Sequence, residues 1–388
     1  MARIKGIDNK ASKSLAWTVY IIIVFEMIYM ATPFAVFFYS VYGLPLKILN
    51  DSSATSWLVQ PIFPHFTQTS SALIRAMLYI SWPLMGIGFI IFVVGFIQIY
   101  GAKLLRKGLV LGGLYRYIRH PQYMGWAIFG LGMAIAWSRM IVLIMYVSML
   151  FVYYLLAKSE ERECLNKYGE SYRAYLQKTG RFLPKFNRNK LDNRKNLLPE
   201  KGTKRVAALI AIYLVTIFCV VQLGMWLRSY SISNISYLGE KDAAVISTVS
   251  MNPSQMRMIL SIVNDNEKAV DELNATMDSE KVKRLVYIVP LEWRISELAM
   301  EVEGEGHRGH GFNPTTHGNT MRFNSHLYKV LFSEAVVDHG VEGKEIILKA
   351  RRQKPILLVK VDTSKRRVIG VEKPPREGKY KDVPVPLF

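Results

Sequence analysis

The sequence predicts an α-helical integral membrane core of about five membrane segments, a short helical hairpin among them, followed by a soluble α+β domain. Three observations point there. Apolar runs long enough to cross a bilayer recur through the first 229 positions and then give way to short strand-like runs. Charge divides at the same place: residues 1–229 hold 27 Lys and Arg against 9 Asp and Glu, a net of +18, whereas residues 230–388 hold 23 against 21, a net of +2. Hydrophobic residues make up 51% of the 388 and mean hydropathy is only +0.15, so a soluble part must offset the spans. Basic loops beside spans explain the charge, through attraction to anionic headgroups and retention on the cytoplasmic side. The basic residues flank apolar runs rather than form one stripe, which argues against a nucleic-acid partner. Cys164 and Cys219 alone make neither a disulfide framework nor a Cys-based zinc site.

In chain order, Arg3, Lys5, Lys10 and Lys13 precede a long apolar run, Leu15–Val41, too long for a signal peptide and long enough to span. Glu26 lies within it, facing either function or other helices. Residues 42–71 are rich in Pro, Ser and Thr with one Lys and one Asp, as suits an external loop. A second span covers about Ala72–Tyr100, with Pro83 a kink or boundary. Lys103, Arg106, Lys107, Arg116 and Arg119 then form a basic cytoplasmic bridge. As one helix Tyr123–Ala157 would reach ~50 Å, well beyond a hydrocarbon core of ~30 Å. Ser138-Arg139 interrupts it, which predicts a hairpin returning the chain to the side it left. A single steeply tilted helix is the alternative, and it would separate the flanking motifs. Glu160–Lys178 has Leu165, Tyr168, Tyr172, Tyr175 and Leu176 at helical spacing, as an interfacial helix would. A basic linker, Lys185–Arg205, leads to the last span, about Val206–Leu227.

The hydrophilic bridge carries Tyr115-Arg116-Tyr117-Ile118-Arg119-His120-Pro121-Gln122-Tyr123-Met124-Gly125, and the next flank carries Glu160-Glu161 and, further on, Arg181-Phe182-Leu183-Pro184. The first resembles the RHPxYxG signature of the isoprenylcysteine carboxyl methyltransferase and phospholipid methyltransferase superfamily, and the second that family's EE motif and closing helix. The resemblance covers roughly residues 70–185. It implies an integral membrane methyltransferase using S-adenosylmethionine, with Tyr115, Tyr117, Arg119, His120, Pro121, Tyr123, Gly125, Glu160 and Glu161 holding the cofactor and Arg119 and His120 acting in catalysis. The residue chemistry suits that role. Arg119 and His120 offer donors for a carboxylate, the two Glu accept from an ammonium or ribose, and tyrosine faces attract a sulfonium. Pro121 bends the chain, and Gly125 permits close approach of a ligand. Arg119 is the first candidate to orient an acidic acceptor and Arg116 a weaker one. Taken singly, each residue also has an ordinary explanation: headgroup anchors, a solvated helix start, belt tyrosines, and, for Gly130-Leu131-Gly132, helix packing.

The acceptor implied is a membrane lipid or lipid-modified molecule reached from the bilayer, bearing a carboxylate, amine or thiol; no residue decides which. Other readings are a non-enzymatic membrane binding or sensing protein with a degenerate core, and a nicotinamide-dependent membrane reductase. Three domains are expected: a core over 1–185, a linker and last helix over 186–229, and an α+β domain over 230–388. The expected location is a multi-pass protein of a bacterial cytoplasmic membrane, or the endoplasmic reticulum if eukaryotic, with the N-terminus cytoplasmic and the last domain extracytoplasmic and free to bind an unknown partner. In that domain Ala243–Val249, Arg284–Val289, Glu345–Lys349, Ile356–Val361 and Arg367–Val371 read as strands, and Pro253–Val263 and the region Glu292–Glu301 as helices. The Ile346 and Ile356 runs suggest a hairpin. Glu303, Glu305, His307, His310, His317 and His326 form a polar cluster readable as a zinc, copper or nickel site or as a flexible loop. Asn234-Ile-Ser236 and Asn274-Ala-Thr276 are glycosylation sequons only in a eukaryotic lumen.

Overall fold

The computed structural model describes residues 21, 24–39, 46, 48–50, 52, 54–64, 68–105, 108–185, 202–275, 282–292 and 326–374. The chain divides into two compact units, one of residues 1–40, 80–136 and 144–218, the other of residues 41–79, 137–143 and 219–388.

The first unit holds helices α1 (Val24–Tyr39) and α3 (Pro121–Ala136) and the greater part of α2 (Ala72–Leu104), α4 (Met140–Lys178) and α5 (Thr203–Ser233), whose residues 72–79, 140–143 and 219–233 belong to the second. Helices α2, α4 and α5 are each long and apolar enough to cross a membrane, and α1 is a shorter apolar helix. Their outward residues are those lipid favours, among them Phe89, Ile90, Ile97, Ile210, Leu214 and Phe218. Pro83 lies inside α2 and does not end it.

Helices α2 and α3 run antiparallel and nearly touch through glycines. A Cβ on Gly125 would meet the Phe92 backbone nitrogen at 2.6 Å and the Gly88 carbonyl at 2.8 Å; one on Gly132 would meet the Ser81 carbonyl at 2.6 Å. Only glycine admits that approach. The chain breaks between Ala136 and Met140, at the Ser138-Arg139 interruption. Helix α4 then runs back along α3: Tyr146 Oη donates to the Ala127 carbonyl at 3.1 Å, and the Tyr153 and Tyr123 rings stack at 4.7 Å. The α4 helix continues without a break past the apolar stretch through Glu160 and Glu161, so these residues extend a span rather than start a separate helix. It kinks only at Gly169, whose φ of 54° and ψ of −126° exclude most L side chains.

The second unit is built on one six-stranded sheet in simple sequence order: β1 (Ser236–Gly239), β2 (Ala243–Ser247), β3 (Val282–Pro290), β4 (Leu327–Val336), β5 (Arg351–Asp362) and β6 (Arg367–Glu372). All neighbours are antiparallel except β2 and β3, which are parallel and joined through α6 (Pro253–Asn264) and α7 (Glu267–Asn274). A crossover of that kind is what a parallel pair requires. Helix α6 starts on a full capping box: Asn252 Oδ1 accepts from Gln255 N at 2.8 Å, Gln255 Oε1 accepts from Asn252 N at 2.9 Å, and Pro253 occupies the first turn. Residues 285–290 of β3 and 328–333 of β4 are buried without alternation, so both sheet faces are covered.

Two expectations for this domain change. Glu345–Lys349 is not a strand but a one-and-a-half-turn helix, α8 (Lys344–Lys349), which buries Ile346 and Ile347; a short apolar pair has no period to separate the two states. The Ile356 run therefore pairs with β4 and β6 instead of an Ile346 strand. Glu292 is described and the rest of the expected Glu292–Glu301 helix lies outside the described residues, as do Glu303, Glu305, His307, His310 and His317.

The sheet unit also holds the polar residues that break the α3–α4 hairpin. Arg139, 8% exposed, donates from NH1 to the Val59 carbonyl at 2.6 Å, and Ser138 accepts Ile62 N at 2.7 Å and Phe63 N at 3.1 Å. The segment that receives them pairs onward with the sheet: Gln60 Nε2 donates to the Ala350 carbonyl at 2.8 Å, and Gln68 N donates to the Thr248 carbonyl at 2.8 Å. Residues 54–64 and 68–71, the hairpin turn and the sheet thus form one body.

Candidate active site

The two motifs meet, and backbone pairing brings them together. Ile118 bridges Gly180 in parallel, Arg119 N donates to the Gly180 carbonyl at 2.9 Å, and His120 N donates to the Arg181 carbonyl at 3.2 Å. The short 3₁₀ turn Gly113–Arg116 leads in, with Gly113 at a φ of 60° and Leu114 N donating to Gln98 Oε1 at 3.1 Å. Tyr115 is buried; its carbonyl accepts Tyr175 Oη at 2.5 Å and its hydroxyl donates to the Gly95 carbonyl at 3.4 Å. Burial pushes its phenol well above the usual range.

At the centre is Glu161, with a side chain 8% exposed. Its Oε1 accepts Arg119 Nε at 2.7 Å and Arg181 Nε at 3.0 Å, and its Oε2 accepts Arg181 NH2 at 2.5 Å. One carboxylate therefore joins the two motifs through two guanidiniums. Charge-assisted bonds of this kind are the strong class. Arg119 reaches further: NH1 donates to the Leu176 carbonyl at 3.3 Å and to the Thr179 carbonyl, both at the end of α4. The guanidinium is 9% exposed, and Nε and NH1 are committed to these protein acceptors.

His120 stands between the two carboxylates. Nδ1 lies 3.3 Å from Glu160 Oε2 and Nε2 lies 3.4 Å from Glu161 Oε1. The second contact is an ion-pair distance but is off hydrogen-bond alignment, so Nε2 is buried with no hydrogen-bond partner among the described residues. Burial pulls the imidazole pKa down, yet the attraction of the neighbouring Glu160 and Glu161 carboxylates outweighs it and the net shift is upward. With both nitrogens facing carboxylates, the imidazolium is the matching form.

Glu160 is placed differently. Its side chain is 43% exposed, and Oε1 accepts the Tyr123 hydroxyl. The Tyr123 ring stacks on His120 at 5.6 Å with 9° between planes, and Phe182 adds a third ring at 6.0 Å from His120. The result is a carboxylate edge at a wall of flat rings, suited to a cation carrying donors. Pro121 starts α3 directly behind it. Gly125 lies one turn on, and its Cβ space is filled by α2 backbone. Tyr117 is 60% exposed and Arg116 is likewise outward, so neither joins the cluster.

Arg181, Thr179 and Tyr175 are participants that motif spacing alone did not assign a role. Arg181 was visible as the basic residue of the closing Arg-Phe-Leu-Pro run, 20 positions after a carboxylate, but nothing in the sequence pairs the two. Glu26, on α1, faces a neighbouring helix and forms an ion pair with Lys103 at the end of α2. Among the described residues, no cluster of His, Cys, Asp and Glu has the grouping of a metal site.

Comparison with known proteins falls on the same stretch. Residues 77–171 match the family model "Phospholipid methyltransferase". The chain is 29% identical over 150 residues to a methanethiol S-methyltransferase of Pseudomonas deceptionensis, covering 34% of this chain and 55% of the relative. The chain thus spans about half the length of that curated relative. No solved structure matches the chain significantly. The likeness that the Arg119–Gly125 and Glu160-Glu161 motifs carry, to the membrane methyltransferase superfamily, holds across this segment.

Proposed function

We propose that the protein is an integral membrane methyltransferase that draws on S-adenosylmethionine and acts on a lipidic or membrane-partitioned acceptor. The observation that carries this is the meeting of Arg119, His120, Tyr123, Glu160 and Glu161 in one charge cluster, buried except at Glu160. An ornamental remnant of the motifs would not keep two guanidiniums and an imidazole on a pair of carboxylates, because unpaired charges there are costly.

The cofactor fits the donor set. S-adenosylmethionine has a sulfonium, an ammonium, a carboxylate and a ribose diol. Glu160, half exposed, has lone pairs left for an ammonium or a ribose hydroxyl, and the Phe182 ring beside His120 supplies a face for adenine or the sulfonium. When bound, the cofactor supplies a methyl group already activated by the sulfonium charge. The chain's own part is to hold, align and dry the reactants. Glu160, His120, Tyr123 and Tyr115 are the binding residues; Arg119, Arg181 and Glu161 are positioning residues that fix the two motifs to each other. Pro121 and Gly125 set the path of α3.

We further propose the domain limits 1–185, 186–229 and 230–388, with the motifs on the cytosolic side and the sheet domain extracytoplasmic, in a bacterial cytoplasmic membrane. The common body formed by residues 54–64 and 68–71, the Ser138-Arg139 turn and the sheet supports a hairpin that turns on the outer side. The test is transfer of a labelled methyl group from S-adenosylmethionine to membrane lipid extract and to a panel of small thiols, with NADPH oxidation measured in parallel. Label in the product supports the proposal. NADPH oxidation without methyl transfer would replace it with a reductase.

A further inference from the structure

Helix α1 precedes residues 77–171, the segment that matches the family model, and neither motif gives it a part. It is nevertheless fastened to all three helices that build the site. Glu26 pairs with Lys103 of α2, whose ammonium also lies over the Tyr100 ring at 5.3 Å from its centroid. Further along, the Met30 carbonyl accepts the hydroxyl of Tyr153 on α4 at 3.1 Å. One turn on, Phe34 stacks on Trp126 of α3 at 4.0 Å. A helix held at three points makes the Met30 carbonyl a fixed acceptor. Such a carbonyl keeps a second lone pair beyond its intrahelical bond, and Tyr153 uses it.

The Tyr153 contact leads into the site. Its ring stacks on Tyr123 at 4.7 Å and 21°, and Tyr123 stacks on His120 at 5.6 Å and 9°. The Tyr123 hydroxyl donates to Glu160 Oε1. Met30, Tyr153 and Tyr123 are all buried, whereas Glu160 is open. A line of buried contacts therefore runs from the α1 backbone to the one carboxylate of the cluster that faces outward. An exposed glutamate left to itself samples several rotamers, and holding it in one costs entropy that a fixed donor offsets. Packing alone would be served at position 153 by Phe, which has no hydroxyl to satisfy.

We propose that Tyr153 is a positioning residue of the cofactor site: anchored on α1 through the Met30 carbonyl, it holds the Tyr123 ring so that the Tyr123 hydroxyl fixes the Glu160 carboxylate for cofactor binding. The proposal rests on the methyltransferase reading above and adds α1 to the parts of the chain on which that site depends.

The test is calorimetric titration of full-length protein in detergent with S-adenosylmethionine, on wild type, Tyr153→Phe, Tyr123→Phe and the double variant, with melting temperatures alongside. Each substitution removes one hydroxyl and keeps its ring. Each single variant should lose about three- to tenfold in affinity while melting within a few degrees of wild type. The double variant should lose no more than Tyr123→Phe alone, because both hydroxyls act on one contact. Wild-type affinity in Tyr153→Phe overturns the proposal, since a residue that only packs would behave that way. Losses that multiply in the double variant overturn it as well, by showing that the two tyrosines act independently. So does a loss in Tyr153→Phe beside wild-type affinity in Tyr123→Phe, and so does a Tyr153→Phe variant that fails to fold, which would make the hydroxyl structural. Failure of folded wild type to bind S-adenosylmethionine would instead strike the methyltransferase reading, so the two failures are distinct.

Discussion

Replacing Glu161 by Gln keeps the shape of the side chain and one acceptor oxygen but removes the charge on which Arg119, Arg181 and His120 converge. Glu161 and Arg119 are both under a tenth exposed at the side chain, so water cannot take over the pairing. Removing one partner of such a pair costs about 3–5 kcal/mol, because the remaining charge stays buried. Arg181 is 27% exposed and can turn part of its charge outward, which places the loss near the lower end, about 3 kcal/mol. The same change at Glu160 meets a carboxylate with a 43% exposed side chain. Its loss should cost stability less than about 1 kcal/mol. Thermal unfolding of purified protein in one detergent separates the two: Glu161→Gln should melt on the order of 10 °C below wild type, Glu160→Gln within a few degrees. Binding should reverse the emphasis, since Glu160→Gln stays folded and loses S-adenosylmethionine affinity. Equal melting points for the two variants would refute the division between a structural and a ligand-facing carboxylate.

Three further outcomes follow from the same structure. His120 has a folded-state pKa above its usual value near 6.5, so its contribution to stability is complete below that value and is lost as pH rises through the folded-state value. Wild-type stability should therefore fall with rising pH above about 6.5, and His120→Asn should flatten that slope; an unchanged slope in the variant would assign it elsewhere. Gly125→Ala forces a Cβ against backbone atoms of α2 that cannot rotate away, and should cost about 1–3 kcal/mol or prevent assembly of the α2–α3 pair; wild-type melting would show that the helices stand further apart. Gly169→Ala should cost about 1–3 kcal/mol through its backbone angles alone, and should weaken the Tyr175–Tyr115 contact and S-adenosylmethionine binding with it. A variant indistinguishable from wild type would mean that α4 runs straight there.

The sequence carried the features that depend on local composition. The hairpin break at Ser138-Arg139 was legible because two polar residues interrupt an apolar run, and α6 because Asn252, Pro253 and Gln255 spell its start. Strand β4 was not read, since burial on both faces removes alternation and Lys329 and Glu334 disguise what remains. Helix α8 was misread for want of length. In the candidate site, the sequence singled out Arg119, His120, Tyr123, Glu160 and Glu161, which the fold brings together, but not their contacts, and it also singled out Tyr117, which turns outward. Adjacent Glu160 and Glu161 look alike in sequence, yet helical rotation sends one inward to two guanidiniums and the other toward solvent. Arg181 was seen in the closing Arg-Phe-Leu-Pro run but its partner was not, because that partner is set by the Ile118–Gly180 backbone pairing, a contact between segments that no local pattern encodes. Gly125 was read as room for a ligand, whereas the space beside it belongs to α2.

The central claim, that the Arg119–Gly125 and Glu160-Glu161 motifs make one cofactor site, is tested most directly by calorimetric titration of the full-length protein in detergent with S-adenosylmethionine and S-adenosylhomocysteine, NADPH serving as control. The account predicts binding of the first two in the micromolar range, none of NADPH, and loss of that binding in folded Glu160→Gln. Folded wild-type protein that binds neither adenosyl compound, or a Glu160→Gln variant that binds them as wild type does, would contradict it.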